Sequence, residues 1–140
     1  MLGVKAAAIA VLLAVVLAGC GSTKDRHALQ SGPFEAVTTN KSARVEIRVA
    51  PNRTEMPNRF RVHVTRDGGP LRGARVVTRL TMLGMQMGSP SFALDETAPG
   101  VYAGSVPALV MRGRWRLSFT IAPRGPSAPF TVRVVDDAAE

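Results

Sequence analysis

Four stretches of the chain alternate apolar and polar side chains with a period of two. In "ARVEIRVA", Val45, Ile47 and Val49 point one way while Arg44, Glu46 and Arg48 point the other, the pattern of a half-buried strand. "RFRVHVTR" sets Phe60, Val62 and Val64 against Arg59, Arg61, His63 and Thr65. "GRWRLSFTIA" sets Trp115, Leu117, Phe119 and Ile121 against Arg114, Arg116, Ser118 and Thr120, and "PFTVRVV" follows with Phe130, Val132 and Val134. Shorter stretches at "ARVVTRLTM", "SFALDE" and "VYAGSV" lie between them, and no long segment beyond the N-terminal run keeps a helical period. About seven short strands separated by Gly and Pro turns predict an all-β fold, an immunoglobulin-like antiparallel β-sandwich.

Turn chemistry and core candidates fit the same plan. "DGGP", Asp67 to Pro70, supplies the glycines and proline of a tight turn between strands. In "APGVYAG" a tyrosine opens a late strand, so Tyr102 is expected to be structural, with its hydroxyl bonded back to backbone as in a tyrosine corner. Trp115 is the other structural candidate, and a polar residue there should be among the most damaging single changes.

The N-terminal segment sets the compartment. "MLGVKAAAIAVLLAVVLAGC" has Lys5, an apolar run from Ala6 to Ala18 and small residues before Cys20, the layout of a secretory signal. The run is short of the roughly 20 residues a spanning helix needs. "LAGC", Leu17 to Cys20, resembles the lipobox of bacterial lipoproteins, which implies acylation of Cys20 and attachment to a membrane. With Cys20 as the only cysteine, the folded part has no internal disulfide and no thiolate metal site.

The domain plan is then a signal over 1–19, lipidated Cys20 with a polar tether over 20–42, the sandwich over 43–135 and an acidic, frayed end over 136–140. Gly21 is not the aspartate that retains lipoproteins at an inner membrane, so in a two-membrane cell the outer membrane is favoured.

Charge narrows the partners. The net charge of +8 would make nucleic acid a serious candidate in the cytoplasm, and export removes it. The basic excess then suits anionic headgroups or acidic envelope partners, or a solvated arginine-rich sheet face. Catalysis finds little to stand on: Asp95 and Glu96 read as turn solvation, Asp136, Asp137 and Glu140 as the acidic end, and no phosphate loop or zinc spacing occurs. The chain is read as no enzyme.

"TMLGMQMGSP" places Met82, Met85 and Met87 within six positions of a chain that has six methionines. Thioethers are soft, neutral ligands that select Cu(I), and they persist in oxidising compartments where thiolates are lost. Joined by Met111 if its strand lies alongside, they form a three- or four-sulfur Cu(I) candidate. The competing reading is packing or a partner surface, since methionine fills irregular gaps beside bends such as Gly84 and Gly88. By alternation Met82 falls on the core face, leaving Met85 and Met87 the better candidates for exposure. His63, on an arginine-flanked polar face, and His27, in the tether, are read as solvated.

Taken in order, "DGGPLRGARVVTRL", "MLGMQMGS", "APGVYAGSV" and "VMRGRWRLSF" resemble the YtkA-like domain, related to FixH-like proteins. The residues that carry the resemblance include Asp67, Gly68, Pro70, Gly73, Ala74 and Val76, then Met82, Gly84, Met85 and Met87, then Gly100 and Tyr102, then Met111, Gly113 and Trp115. It covers about residues 43–135. Two departures are Pro57 where a glycine is expected and a cluster without histidine, which speaks against oxidised copper. The resemblance implies a small exported β-sandwich acting as an accessory module in copper handling or respiratory-oxidase assembly. The alternative it leaves is a metal-free module that docks an envelope transporter or oxidase subunit.

Overall fold

Alternation becomes strand wherever one face can be buried. The computed structural model describes residues 32–139, in nine strands: β1 (Phe34–Asn40), β2 (Ala43–Ala50), β3 (Asn58–Arg66), β4 (Gly69–Pro70), β5 (Arg75–Met82), β6 (Ser91–Ala98), β7 (Val101–Val106), β8 (Gly113–Ala122) and β9 (Phe130–Ala138). The signal reading and Cys20 lie outside the described residues.

All neighbours pair antiparallel, in the order β1-β2-β3-β7-β6-β5-β8-β9, with β4 added to β3. β6 is the corner. Its first half, Ser91 to Leu94, pairs with β5, and its second half pairs with β7 across a bulge at Glu96 to Ala98. One strand therefore serves both sheets, β1-β2-β3-β7 and β5-β8-β9, and β1 touches β9 on the far side. The result is an immunoglobulin-like antiparallel β-sandwich that is nearly closed.

The inward residues are those that alternation selects. Val45, Val49, Phe60, Val62, Val64, Leu117, Phe119 and Ile121 are fully buried, and Trp115 and Tyr102 are the largest buried side chains. Phe60 meets Phe92 edge to face at 5.2 Å between ring centroids, which joins β3 to the corner strand.

Two boundaries of the sequence reading need correction. The segment read as tether up to Ser42 contains β1, which pairs with β2 from Phe34↔Val49 to Asn40↔Ala43. The acidic end is no frayed tail: β9 continues to Ala138, and its inward series Val132, Val134, Asp136, Ala138 carries Asp136 into the interior. "DGGP" closes β3 onto β4, with Asp67 and Gly68 both at positive φ (51° and 80°), as a type I′ turn demands.

Candidate functional site

The strands bring two sets of connections to opposite ends of the sandwich. At one end the β3–β5 connection meets the β6–β7 turn. Tyr102, fully buried, donates its hydroxyl to the Leu71 carbonyl (2.6 Å) and accepts from the Ala74 N–H (2.9 Å). Burial raises the pKa of this hydroxyl, so it stays a donor. Glu96 clamps the same end: its two oxygens accept from the N–H groups of Gly73 (2.8 Å) and Gly100 (3.0 Å), and these bonds hold its pKa below the ordinary value. Glu96 is thus a cross-brace in β6 rather than turn solvation. At Gly100 (φ +71°) an added Cβ would lie 2.8 Å from the Val64 carbonyl oxygen and 2.9 Å from Pro70 Cβ, so only glycine fits.

The other end is built by the 51–57, 83–90 and 107–112 connections and the end of β9. Backbone bonds tie them together: Thr54 N–H to Ala139 O (3.1 Å), Glu55 N–H to Leu109 O (3.2 Å) and Leu83 N–H to Arg114 O (2.8 Å). The Pro57 departure is absorbed here. The buried Asn58 amide donates to Arg53 O (2.6 Å) and Met56 O (3.2 Å) and accepts from Arg53 N–H (3.0 Å), fixing the loop from within. Trp115 Nε1 donates to Met111 O (2.9 Å), which pins Met111 to the core.

Between these connections lies a cavity of about 360 Å³ lined by Met82, Met85, Met111, Thr54, Glu55, Val110 and Arg112. Pairing of Met82 with Trp115 sets β8 against β5, and this brings Met111 to the cluster. Met82 is 9% exposed and its Cε would lie 2.8 Å from a Cβ placed on Gly113, whereas Met85 is 53% and Met111 37% exposed. One thioether at the floor and two at the rim present soft donors to a shared space. Met87 does not line it; it is partly buried and packs against the core. Met87 is thus less open than Met85, because part of its side chain packs against the core.

A model of the YtkA-like family matches residues 38–120, more than half of the chain. The chain belongs to the YtkA-like family. No curated protein and no solved structure matches it. The YtkA-like stretches divide by end. "DGGPLRG" and "APGVYAG" build the braced end around Tyr102 and Gly100, while "MLGMQMGS" and "VMRGRW" meet at the methionine-lined cavity.

Three features of this YtkA-like domain escaped the sequence reading. Glu55 brings a carboxylate to the cavity rim from a loop with no motif of its own. Asn52, fully buried, donates Nδ2 to Asp136 Oδ1 (3.1 Å) and ties the 51–57 loop to β9. Burial pushes the Asp136 carboxyl up to about 6, with Asp137 adding in the same direction and the Asn52 bond opposing. The signal for Asp136 was present in the inward register of Val132 and Val134. His63 is half-buried with Nδ1 3.5 Å from Glu46 Oε2, and it does not line the cavity.

Proposed function

We propose that this YtkA-like chain is a non-catalytic accessory module of the bacterial envelope that holds Cu(I) as cargo through Met82, Met85 and Met111. The observation that carries the reading is the convergence of these three thioethers, from β5, the 83–90 loop and the 107–112 loop, on one cavity. Thioethers suit Cu(I) over harder ions. Of the side chains that line the cavity, three carry thioethers and one, Glu55, a carboxylate, so soft donors outnumber hard ones there. Two exposed sulfurs at the rim leave a route for ligand-by-ligand transfer to a partner. Export through the N-terminal signal and acylation of Cys20 belong to the same proposal and rest on the sequence of residues 1–20.

The second reading is metal-free docking. Met56, Met85, Val110 and Met111 are exposed at this one end, an apolar rim of the kind that partner proteins cover. Substitution separates the two, because Met→Leu keeps volume and apolarity but removes the sulfur.

An anaerobic Cu(I) competition titration of the full chain carrying Cys20→Ser tests the proposal. One equivalent should bind, and Met85→Leu with Met111→Leu should abolish binding while Met87→Leu leaves it unchanged. Binding indifferent to the double substitution would remove the copper reading and leave docking.

A further inference from the structure

Both sheets turn arginines outward, but the two faces differ in their acids. On β1-β2-β3, Arg48 pairs with Glu35 (2.7 Å), Arg44 with Glu46 (2.9 Å), and His63 lies near the same glutamate. The outward face of β5-β8-β9 carries Arg75, Arg79, Arg114, Arg116 and Arg133, and the acid interleaved among them, Asp137, pairs with Arg114 (3.3 Å). Register sets Arg79, Ser118 and Arg133 in one row across the three strands, with Arg116 in the next row between Thr81 and Val135. Strands about 4.8 Å apart put the stems of Arg79 and Arg133 about 10 Å from each other, with Arg116 completing a triangle that contains no acid.

We propose that this outward face of β5, β8 and β9 is an electrostatic docking surface for an anionic phospholipid bilayer. Charge complementarity is the first argument. A guanidinium fork matches phosphate oxygens and is weakly hydrated, so it gives up water readily at a headgroup. The side chains between the arginines, Thr81, Ser118 and Val135, are short, so long basic stems stand above a sheet face and reach many separate anions rather than one recessed ligand. The chain ahead of the described residues supplies the second argument. In the exported form it begins at Cys20, whose acylation belongs to the proposal above, and the residues from Gly21 to Pro33 reach at most about 45 Å when extended. Acyl chains on Cys20 seated in the bilayer keep the face at high local concentration near headgroups. The inference does not depend on the copper reading, since the cavity lies at the end of the sandwich and these arginines lie on its side.

The test is flotation of the full, unacylated chain with vesicles of phosphatidylcholine alone and of phosphatidylcholine mixed with phosphatidylglycerol. Apolar binding by the N-terminal run is common to both, so the difference between them reads the arginine face. Neutralising Arg79→Gln, Arg116→Gln and Arg133→Gln together should reduce the anionic-dependent affinity about a hundredfold, near fivefold for each arginine, while binding to neutral vesicles stays the same. The charge-keeping set Arg79→Lys, Arg116→Lys and Arg133→Lys should retain most of it, which separates lost charge from lost fold. No preference for anionic vesicles in the parent chain, an unchanged preference in the neutralised set, or an equal loss from Arg59→Gln with Arg61→Gln on the opposite sheet would overturn the proposal. Tighter binding of polyglutamate than of vesicles through the same three arginines would assign the face to an acidic protein and overturn it as well.

Discussion

Asn52 Nδ2 lies 3.1 Å from Asp136 Oδ1 inside the sandwich, and the remaining oxygen of each side chain, Asn52 Oδ1 and Asp136 Oδ2, is buried without a partner among the described residues. Ionised, Asp136 offers only acceptors, so the two orphan oxygens repel. Protonated, its hydroxyl is a donor, and an acid facing an amide can close a ring of two hydrogen bonds that satisfies both orphans. The geometry and the raised pKa thus point to the same protonation state.

The sign of the pH dependence follows. The native carboxyl at about 6 holds its proton to higher pH than the unfolded value of 3.8. The folded state gains most from this group below that unfolded value, and the gain is lost as pH rises to about 6. Asp136→Asn keeps the ring of two bonds and removes the ionisation. It should stabilise the chain by about 1–3 kcal/mol at pH 8 and by much less at pH 4. Urea unfolding of both proteins at the two pH values checks this, and equal differences at both would refute the protonated pair.

Thr78 makes a smaller case of the same kind. It faces the core from β5, fully buried, with its hydroxyl oxygen unpartnered among the described residues. Thr78→Val fills the same space without an orphan polar atom and should raise stability by about 1 kcal/mol in thermal unfolding. A loss of stability would mean that the hydroxyl has a partner in solution.

At the braced end, Tyr102→Phe removes one donor and one acceptor from a buried site and strands the Leu71 carbonyl and the Ala74 N–H. The expected cost is about 1–3 kcal/mol, with Cu(I) binding at the other end unaffected. Gly100→Ala should be as damaging, since both φ and the Val64 carbonyl oppose a side chain there.

Trp115 links core to cavity. Truncation by Trp115→Ala should cost about 3–5 kcal/mol. The milder Trp115→Phe keeps most of the apolar volume but loses the bond to Met111 O, so it should weaken Cu(I) binding by more than its effect on melting temperature would suggest. Equal Cu(I) affinity in the parent and Trp115→Phe would show that the 107–112 loop holds its position without that bond.

How far the sequence could be read depends on how one-sided each strand's burial is. β2, β3 and β8 bury one full apolar face and expose the other, so their alternation is legible. β1 is an edge strand whose inward series, Phe34, Ala36, Thr38 and Asn40, fades from apolar to polar, while outward Val37 is 55% exposed. Its strand character comes from pairing with β2, which periodicity does not register. The corner in β6 is a property of two sheets, not of eight residues. Asp136 is illegible from charge alone, since only the register it shares with Val132 and Val134 carries it inward. Of the methionines, adjacency in sequence favoured Met87, and only the β5–β8 pairing shows that Met111 takes the place beside Met82 and Met85.

Whether Met82, Met85 and Met111 act as one donor set is read by NMR of chain labelled with ¹³C at the methionine methyl groups, in the Cys20→Ser background under anaerobic Cu(I) titration. The Met82, Met85 and Met111 resonances should move together and saturate at one equivalent, while Met56 and Met87 stay in place. Resonances that do not respond, or a response led by Met87, would contradict a shared donor set.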